Sequence, residues 1–183
     1  WRGRSSGKME RTLADKIGML ATVMNALAVS DKLEQLGVPT EVFTSITMPQ
    51  VAPAFTRKEA LHAMEEGKIA IFGGGTGNPF FSTDSAASLR AAELNADILL
   101  KATMVDGIYD KDPKKFPDAV KYDVITHHDI LVNKLQVMDS AAAAICTENN
   151  IPIIVFDLNR PDNIYDAVMG ETVGTLVTKH KPQ

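Results

Sequence analysis

The sequence is poor in cysteine, in aromatic residues and in excess charge of either sign. The one cysteine, Cys146, cannot form an intrachain disulfide, which excludes a disulfide-stapled scaffold and fits a reducing cytosol. Nineteen lysines and arginines face 23 aspartates and glutamates, so no broad cationic surface exists to neutralise a nucleic-acid backbone. No apolar run approaches the ~20 residues of a membrane span, and no signal peptide opens the chain. We therefore expect a cytoplasmic protein that binds neither nucleic acids nor membranes.

What is present is an ordinary globular composition, with 183 residues, 45% hydrophobic and 23% charged. Local signals predict alternating helices and strands: Gly37 ends a long first helix, Thr56 and Glu59 form a capping box, and Asp139 caps an alanine-rich helix. The predicted helices span 12–36, 56–67, 83–95, 140–149 and 162–169, and the predicted strands span 41–46, 68–72, 97–102, 152–156 and 175–178.

This alternation predicts a single α/β domain over residues 1–183, with helices on both faces of a mostly parallel central sheet. The long first helix is apolar almost all round in its middle, so we expect it to be buried or to lie at a subunit interface. Ligands of such sheets bind outside the carboxyl ends of the strands, where the loops are residues 73–83 and 103–113. These two loops are the candidate functional segments.

The first loop combines a glycine cluster with the start of a helix, whose free N–H groups can hold an anion. It lacks the Lys-Ser/Thr pair of a P-loop and the third glycine of a dinucleotide fingerprint, so a plain strand-to-helix turn is an equally good interpretation. The residues around the glycines favour a ligand-binding site: Phe80 and Phe81 can pack against a base or sugar, and neutral polar side chains flank them. Asp84 fits either a helix-start carboxylate or metal-assisted phosphate chemistry.

The second loop places an aromatic residue and several carboxylates after a strand. Turn chemistry alone explains Asp106, Gly107 and Pro113. Tyr109 and Asp112 are less easily explained that way, because an aromatic ring and an acid near a strand end suit an adenine and a ribose.

Several segments, in order along the chain, resemble the bacterial uridylate kinases of the amino-acid-kinase superfamily, and the likeness runs from Trp1 to about Thr178. The resemblance implies a three-layer α/β/α sandwich and a cytosolic enzyme that moves the γ-phosphoryl group of Mg-ATP onto UMP, giving UDP and ADP. It also implies a homohexamer built from dimers. The segments are WRG (1–3), ADKIGMLATVMNALA (14–28), GTGNPFFSTDSAA (75–87), LLKATMVDGIYDKDP (99–113), LQVMDSAAAAIC (135–146) and NRP (159–161).

The resemblance also assigns site residues. It implies that Arg2 is a catalytic residue that contacts phosphate, that Asp15 binds the uridine ribose with Gly18 close behind, and that Asp84 and Asp139 are catalytic organisers. The implied UMP-binding loop consists of Thr76, Gly77, Asn78, Pro79, Phe80, Phe81, Ser82 and Thr83. The implied ATP-binding residues are Gly3, Lys101, Thr103, Asp106, Tyr109 and Asp112. The implied cofactor is Mg²⁺ bound with ATP, with no metal site made by side chains alone.

The chain departs from the family at its front, where the Lys-x-Ser-Gly-type loop and the Gly-Gly-Gly-Asn turn before Arg2 are absent. We therefore expect an N-terminally incomplete domain with little kinase activity on its own. A non-catalytic uridine-nucleotide-binding or sensing protein on the same fold is the alternative. A related kinase acting on a carboxylate or carbamate is disfavoured by the uridylate-type loop.

Overall fold

The computed structural model describes residues 9–133, 135 and 137–180, and these fall into two compact units that divide after residue 86. The division lies inside one helix, α3 (Thr83–Leu94). The single-domain organisation stays a prediction. The first unit otherwise contains α1 (Arg11–Gln35), β1 (Thr40–Thr44), α2 (Arg57–Glu65) and β2 (Ile69–Gly73). The second contains β3 (Leu99–Thr103), β4 (Ile108–Tyr109), β5 (Lys121–Tyr122), β6 (Val124–Thr126), α4 (His127–Val132), α5 (Ser140–Glu148), β7 (Ile153–Asp157), α6 (Asp162–Met169) and β8 (Thr175–Thr178).

Helix ends in both units follow the local signals in the sequence. The α1 helix closes with a Schellman motif, in which Gly37 at φ +80° donates to the Glu34 carbonyl and Val38 donates to the Leu33 carbonyl. The predicted capping box opens α2, since the Glu59 N–H lies 3.2 Å from the Thr56 hydroxyl, which itself donates to the Glu59 carboxylate. These contacts satisfy backbone groups that a helix end otherwise leaves open.

In the first unit, α1 packs on a two-stranded parallel sheet. Strands β1 and β2 run in register from the pair Thr40 and Ile69 to the pair Thr44 and Gly73, so both end at the same edge. Helix and sheet approach closely because position 73 is glycine: a Cβ there would lie 2.9 Å from the Val23 Cα. The carboxyl edge of this small sheet therefore lies beside α1.

The second unit has a four-stranded sheet in the order β3-β7-β8-β6, and a separate hairpin of β4 and β5. Strands β3 and β7 are parallel, as are β6 and β8, whereas β7 and β8 are antiparallel. Its core is aliphatic and includes Ile125, Ile153 and Val177, each at most 1% exposed. Cys146 is fully buried in the same core. The hairpin and β6 lie in a segment that the sequence predicted as loop, because strands of two or three residues carry no periodicity.

Helix α1 has one face buried on the sheet and another exposed in this chain. Ala14, Met19, Val23 and Ala26 are buried, along with Asp15. The exposed apolar face consists of Leu13, Leu20, Met24 and Leu27, between 37% and 70% accessible, and Val29 is also exposed. By length and composition α1 is apolar enough to cross a membrane, a test that soluble core helices also pass. This corrects the expectation that no segment is long and apolar enough.

Candidate functional site

The loop after β2 is a backbone structure that depends on glycine. Gly74, Gly75 and Gly77 all have positive φ, and the Gly77 N–H donates to the Gly74 carbonyl across a tight turn. A Cβ on Gly77 would lie 2.8 Å from the carbonyl oxygen of Ser45, the residue that follows β1. The loop therefore lies against the end of the neighbouring strand, at a separation that a side chain would prevent.

Two hydroxyl groups outside the loop hold it in place. The Thr22 hydroxyl on α1 accepts the Gly74 N–H at 2.9 Å, and the Ser45 hydroxyl donates to the Gly75 carbonyl at 2.7 Å. Sequence reasoning missed both residues, although signals existed. Thr22 lies seven residues after Asp15 and so shares its helix face, and Ser45 lies at the carboxyl end of a parallel strand.

Asp15, predicted from the resemblance, is buried and holds the middle of the loop. Its side chain is 4% exposed, and the carboxylate oxygen Oδ2 accepts the Phe80 N–H at 2.8 Å. Phe80 has φ of +74°, a left-handed conformation that is strained for an aromatic residue. The Arg11 Nε lies 3.7 Å from the same Oδ2, and the Arg11 guanidinium lies 4.6 Å from the Phe80 ring centroid. A buried charge thus fixes a strained backbone at the loop.

The remaining loop residues are divided between local turns and exposed surface. Thr76 and Asn78 form hydrogen bonds with each other through side chain and backbone. The hydroxyl of Ser82, the residue before α3, accepts the N–H of Ser85 in the first turn of that helix. Phe80 and Phe81 are 61% and 50% exposed. Of the other predicted residues, Pro79 lies in the loop, and Thr83 and Asp84 lie in the first turn of α3. Gly18 lies on α1 with open space around it, while Arg2 and Gly3 lie outside the described residues.

In the second unit, the loop after β3 lines a cavity of about 560 Å³. Four residues predicted to bind ATP line this cavity: Lys101, Thr103, Tyr109 and Asp112. The other lining residues are Val105, Gly107, Ile108, Asp110, Lys111, Pro113, Asn133, Leu135, Val137 and Val155. The sequence analysis missed Asn133, and it gave no role to Lys111, although Lys111 lies in the predicted loop 103–113. The cavity has the size and the mixed polar and apolar lining of small-molecule sites.

Polar side chains at the cavity are oriented by neighbouring groups. The Lys101 ammonium donates to the Val137 carbonyl at 2.7 Å, and Asp112 accepts the Lys114 N–H at 3.0 Å. The Tyr109 hydroxyl donates to Asp106 at 2.8 Å, and this bond raises the pKa of Tyr109 above its usual range. Asp106 itself is not one of the lining residues, and besides Tyr109 it contacts Lys121, whose Nζ lies 3.6 Å from the Asp106 Oδ2.

Asp139 has a plain structural contact. Its carboxylate accepts the N–H groups of Ala141 and Ala142 at 3.0 and 3.1 Å, which confirms the predicted cap of α5. Its catalytic assignment stays a prediction, as does that of Asp84. The described residues contain no group of three side chains suited to a metal ion. Magnesium commonly binds in kinases through substrate phosphates with one or two carboxylates, and Asp110 and Asp112 line the cavity after β3.

The sequence model of the Amino acid kinase family matches residues 3–157 of the chain. Three solved structures are similar over most of it. UMP kinase from Ureaplasma parvum is 39% identical with a TM-score of 0.92, over 98% of this chain and 77% of that one. UMP kinase from Bacillus anthracis is 36% identical with a TM-score of 0.94, over 99% and 76%. Uridylate kinase from Archaeoglobus fulgidus is 31% identical with a TM-score of 0.69, over 94% and 75%. These likenesses confirm the resemblance found in the sequence and the predicted α/β fold with mostly parallel strands.

Proposed function

The chain belongs to the amino acid kinase family, and we propose that it is a UMP kinase, which transfers the γ-phosphoryl group of Mg-ATP to UMP. The observation that carries the proposal is the glycine loop after β2, held by buried Asp15 through the Phe80 N–H. Such a loop brings backbone close to a phosphorylated ligand and leads into a helix N-terminus, which favours anions. The similarity to two UMP kinases supports UMP as the acceptor.

On the acceptor side, Asp15 binds the ribose and the loop from Thr76 to Thr83 surrounds the uracil and the acceptor phosphate. Exposed Phe80 and Phe81 supply apolar surface for a base or sugar. Arg2 contacts phosphate, and Gly18 leaves room beside Asp15, since nothing lies within 4 Å of where its Cβ would be. The acceptor site is thus mostly backbone, with one buried charge.

On the donor side, the cavity after β3 binds ATP. Lys101 neutralises phosphate charge, Tyr109 offers an aromatic face for adenine, and Asp112 accepts ribose hydroxyl protons in hydrogen bonds. Thr103 adds a hydroxyl, and Gly3 contributes backbone to the phosphates. Asp106 fixes the tyrosine through its hydroxyl.

Phosphoryl transfer depends mainly on positioning and on neutralising charge, so the chain needs cations and helix N-termini more than proton acceptors. A UMP phosphate oxygen is already anionic at neutral pH, and no general base is required. Asp84 and Asp139 therefore act as organisers at the N-terminal ends of α3 and α5, Asp84 in the first turn and Asp139 as the N-cap. Mg²⁺, when bound with ATP, supplies further charge neutralisation of the phosphates.

We also propose that the exposed apolar face of α1 packs against a second copy, as a first step towards a hexamer in the cytoplasm. Leu13, Leu20, Met24 and Leu27 lie at helical spacing on this face. Sedimentation should show that Leu20→Glu with Met24→Glu lowers the mass of the assembly. Lys32→Glu on the same helix should not. An unchanged mass in the double variant would contradict this interface.

The experiment that tests the activity is ADP release from Mg-ATP with UMP, CMP or AMP as acceptor. We expect slow turnover with UMP in this chain, lowered further by Asp15→Asn and unchanged by Asp31→Asn, a matched control with an exposed carboxylate on the same helix. The same assay on a version that carries a lysine-bearing N-terminal segment tests whether that segment raises the rate. UMP binding without turnover in both chains would replace the kinase with the nucleotide-binding alternative.

A further inference from the structure

Arg11 makes two contacts that converge on one strained residue of the acceptor loop. It lies in the first turn of α1, four residues before Asp15, so the two side chains are neighbours on one helix face. Its Nε lies 3.7 Å from the Asp15 Oδ2, and its guanidinium carbon lies 4.6 Å from the Phe80 ring centroid. Both contacts lead to Phe80, because the same Oδ2 accepts the Phe80 N–H.

Phe80 requires this support. A left-handed backbone conformation persists in an aromatic residue only where surrounding contacts over-determine it. The residue is 61% exposed, so core packing supplies little of that restraint. The backbone is held by a nearly buried carboxylate, and the ring is held by the cation above it.

We propose that Arg11 is a positioning residue of the acceptor site, which holds Phe80 in its ligand-ready conformation through the ring and through Asp15. The proposal rests on the proposed function, since it concerns the site taken to bind UMP. Arg11 also covers one face of the Phe80 ring, so a planar base can stack only on the other face. Removing the guanidinium both loosens the loop and opens a second stacking face.

The test compares Arg11→Ala, Arg11→Lys and Lys16→Ala, the last a matched control that removes an exposed cation one turn along α1. We expect Arg11→Ala to raise KM for UMP about tenfold while kcat changes less than about twofold, as for a lost binding contact. Arg11→Lys should restore part of the loss, because lysine keeps the charge without the planar guanidinium. Lys16→Ala should behave as the unchanged chain.

A second readout does not depend on UMP. Amide exchange followed by NMR should show the Phe80 N–H exchanging faster in Arg11→Ala than in the unchanged chain or in Lys16→Ala. Faster exchange with a raised KM supports the proposal. Unchanged exchange, or a fall in kcat with KM unaltered, overturns it.

If Arg11 acts through the Phe80 ring, the effect of removing Arg11 must depend on that ring. In a Phe80→Leu background, the effect of Arg11→Ala on KM should shrink, since the aromatic contact is already gone. Equal effects in both backgrounds would contradict a route through the ring. If the unchanged chain neither binds nor turns over UMP, the proposed function fails, whereas the exchange measurement still decides whether Arg11 holds the loop.

Discussion

The loop after β2 and the cavity after β3 follow equivalent points of the fold, but the loop is formed mainly by backbone and the cavity mainly by side chains. Both begin where a parallel strand ends, at Gly73 and at Thr103. The first is a backbone structure, in which three positive-φ glycines lie against Ser45 and one buried carboxylate fixes the centre. The second is a cavity lined by charged, aromatic and aliphatic side chains.

The difference teaches that a strand end can create a site in two ways. Where the backbone forms the site, an added Cβ disrupts the site itself, so the site depends mainly on which positions are glycine. Where side chains make the contact, a substitution changes affinity and leaves the loop path intact. Substitutions in the two units should therefore have separable effects.

The largest expected effect comes from a glycine of the second unit that serves the fold alone. Gly174 has φ of +63°, and a Cβ there would lie 1.9 Å from the Val155 carbonyl oxygen, so Gly174→Ala forces β7 and β8 to move. We expect a loss in unfolding free energy on the order of 3 kcal/mol or more, measured by urea denaturation. The control is Gly170→Ala, with φ of +84° and open space, which should cost about 1 to 2 kcal/mol. Equal losses would show that backbone overlap is not the cause.

A glycine at the first site should instead affect binding. Gly77→Ala would place its Cβ 2.8 Å from the Ser45 carbonyl oxygen, and we expect UMP affinity to fall more than about tenfold, or about 1.4 kcal/mol. ATP affinity should stay unchanged. Gly67→Ala, at φ +80° with open space, is the control that leaves UMP affinity alone. Calorimetric titration with each nucleotide checks both, and a parallel loss of ATP affinity would break the contrast between the two sites.

Substituting Lys101 should lower ATP affinity and leave UMP affinity unchanged, which is the reverse of the effect expected for Gly77→Ala. Lys101→Met keeps the length and removes the ammonium group, so ATP affinity should fall about 10- to 100-fold, as for a lost hydrogen bond to a charged group. UMP affinity should not change. Lys114→Met removes an exposed cation of the same unit and should leave ATP affinity within about twofold of the unchanged chain. Titration of ATP and UMP in turn makes the measurement, and equal losses in the two lysine variants would mean that bulk charge alone matters.

The smallest expected effect is a pH dependence of stability that arises from His127 in the second unit. His127 is buried with its Nε2 3.2 Å from the Ile151 carbonyl, and burial lowers the pKa of His127 below its ordinary value of 6.5. Because the unfolded chain takes up this proton first, stability should decrease as pH falls below about 6.5. Melting temperatures from pH 8 to pH 5.5 should show a shallower acid-side decline in His127→Gln than in His128→Gln, whose histidine is exposed. Identical slopes would assign the pH dependence to other groups.

The sequence predicted most of the fold because its signals are local. Gly37, the Thr56 and Glu59 box and the Asp139 cap all act within five residues along the chain. The hairpin of β4 and β5 and strand β6 were missed. Pairing with distant strands determines such short elements, as when β6 pairs with β8.

The candidate site was predictable to a similar extent. Composition and spacing pointed to the two loops, and the family resemblance added Asp15 and Lys101. Arg11, Thr22 and Ser45 were missed because their contacts cross from one element to another. A helix-face analysis of α1 would have placed Thr22 beside Asp15, but no linear pattern places Arg11 over the Phe80 ring.

The two faces of α1 can link the binding of a nucleotide to the binding of a second copy. One face bears Asp15 and Thr22, which hold the acceptor loop, and the other bears the exposed apolar residues. If a second copy binds that apolar face more tightly when the loop is ordered, reciprocity of free energies requires UMP to bind the assembly more tightly by the same factor. Affinity for the nucleotide would then depend on protein concentration, and a 25-residue helix about 37 Å long would be the element that couples the two equilibria.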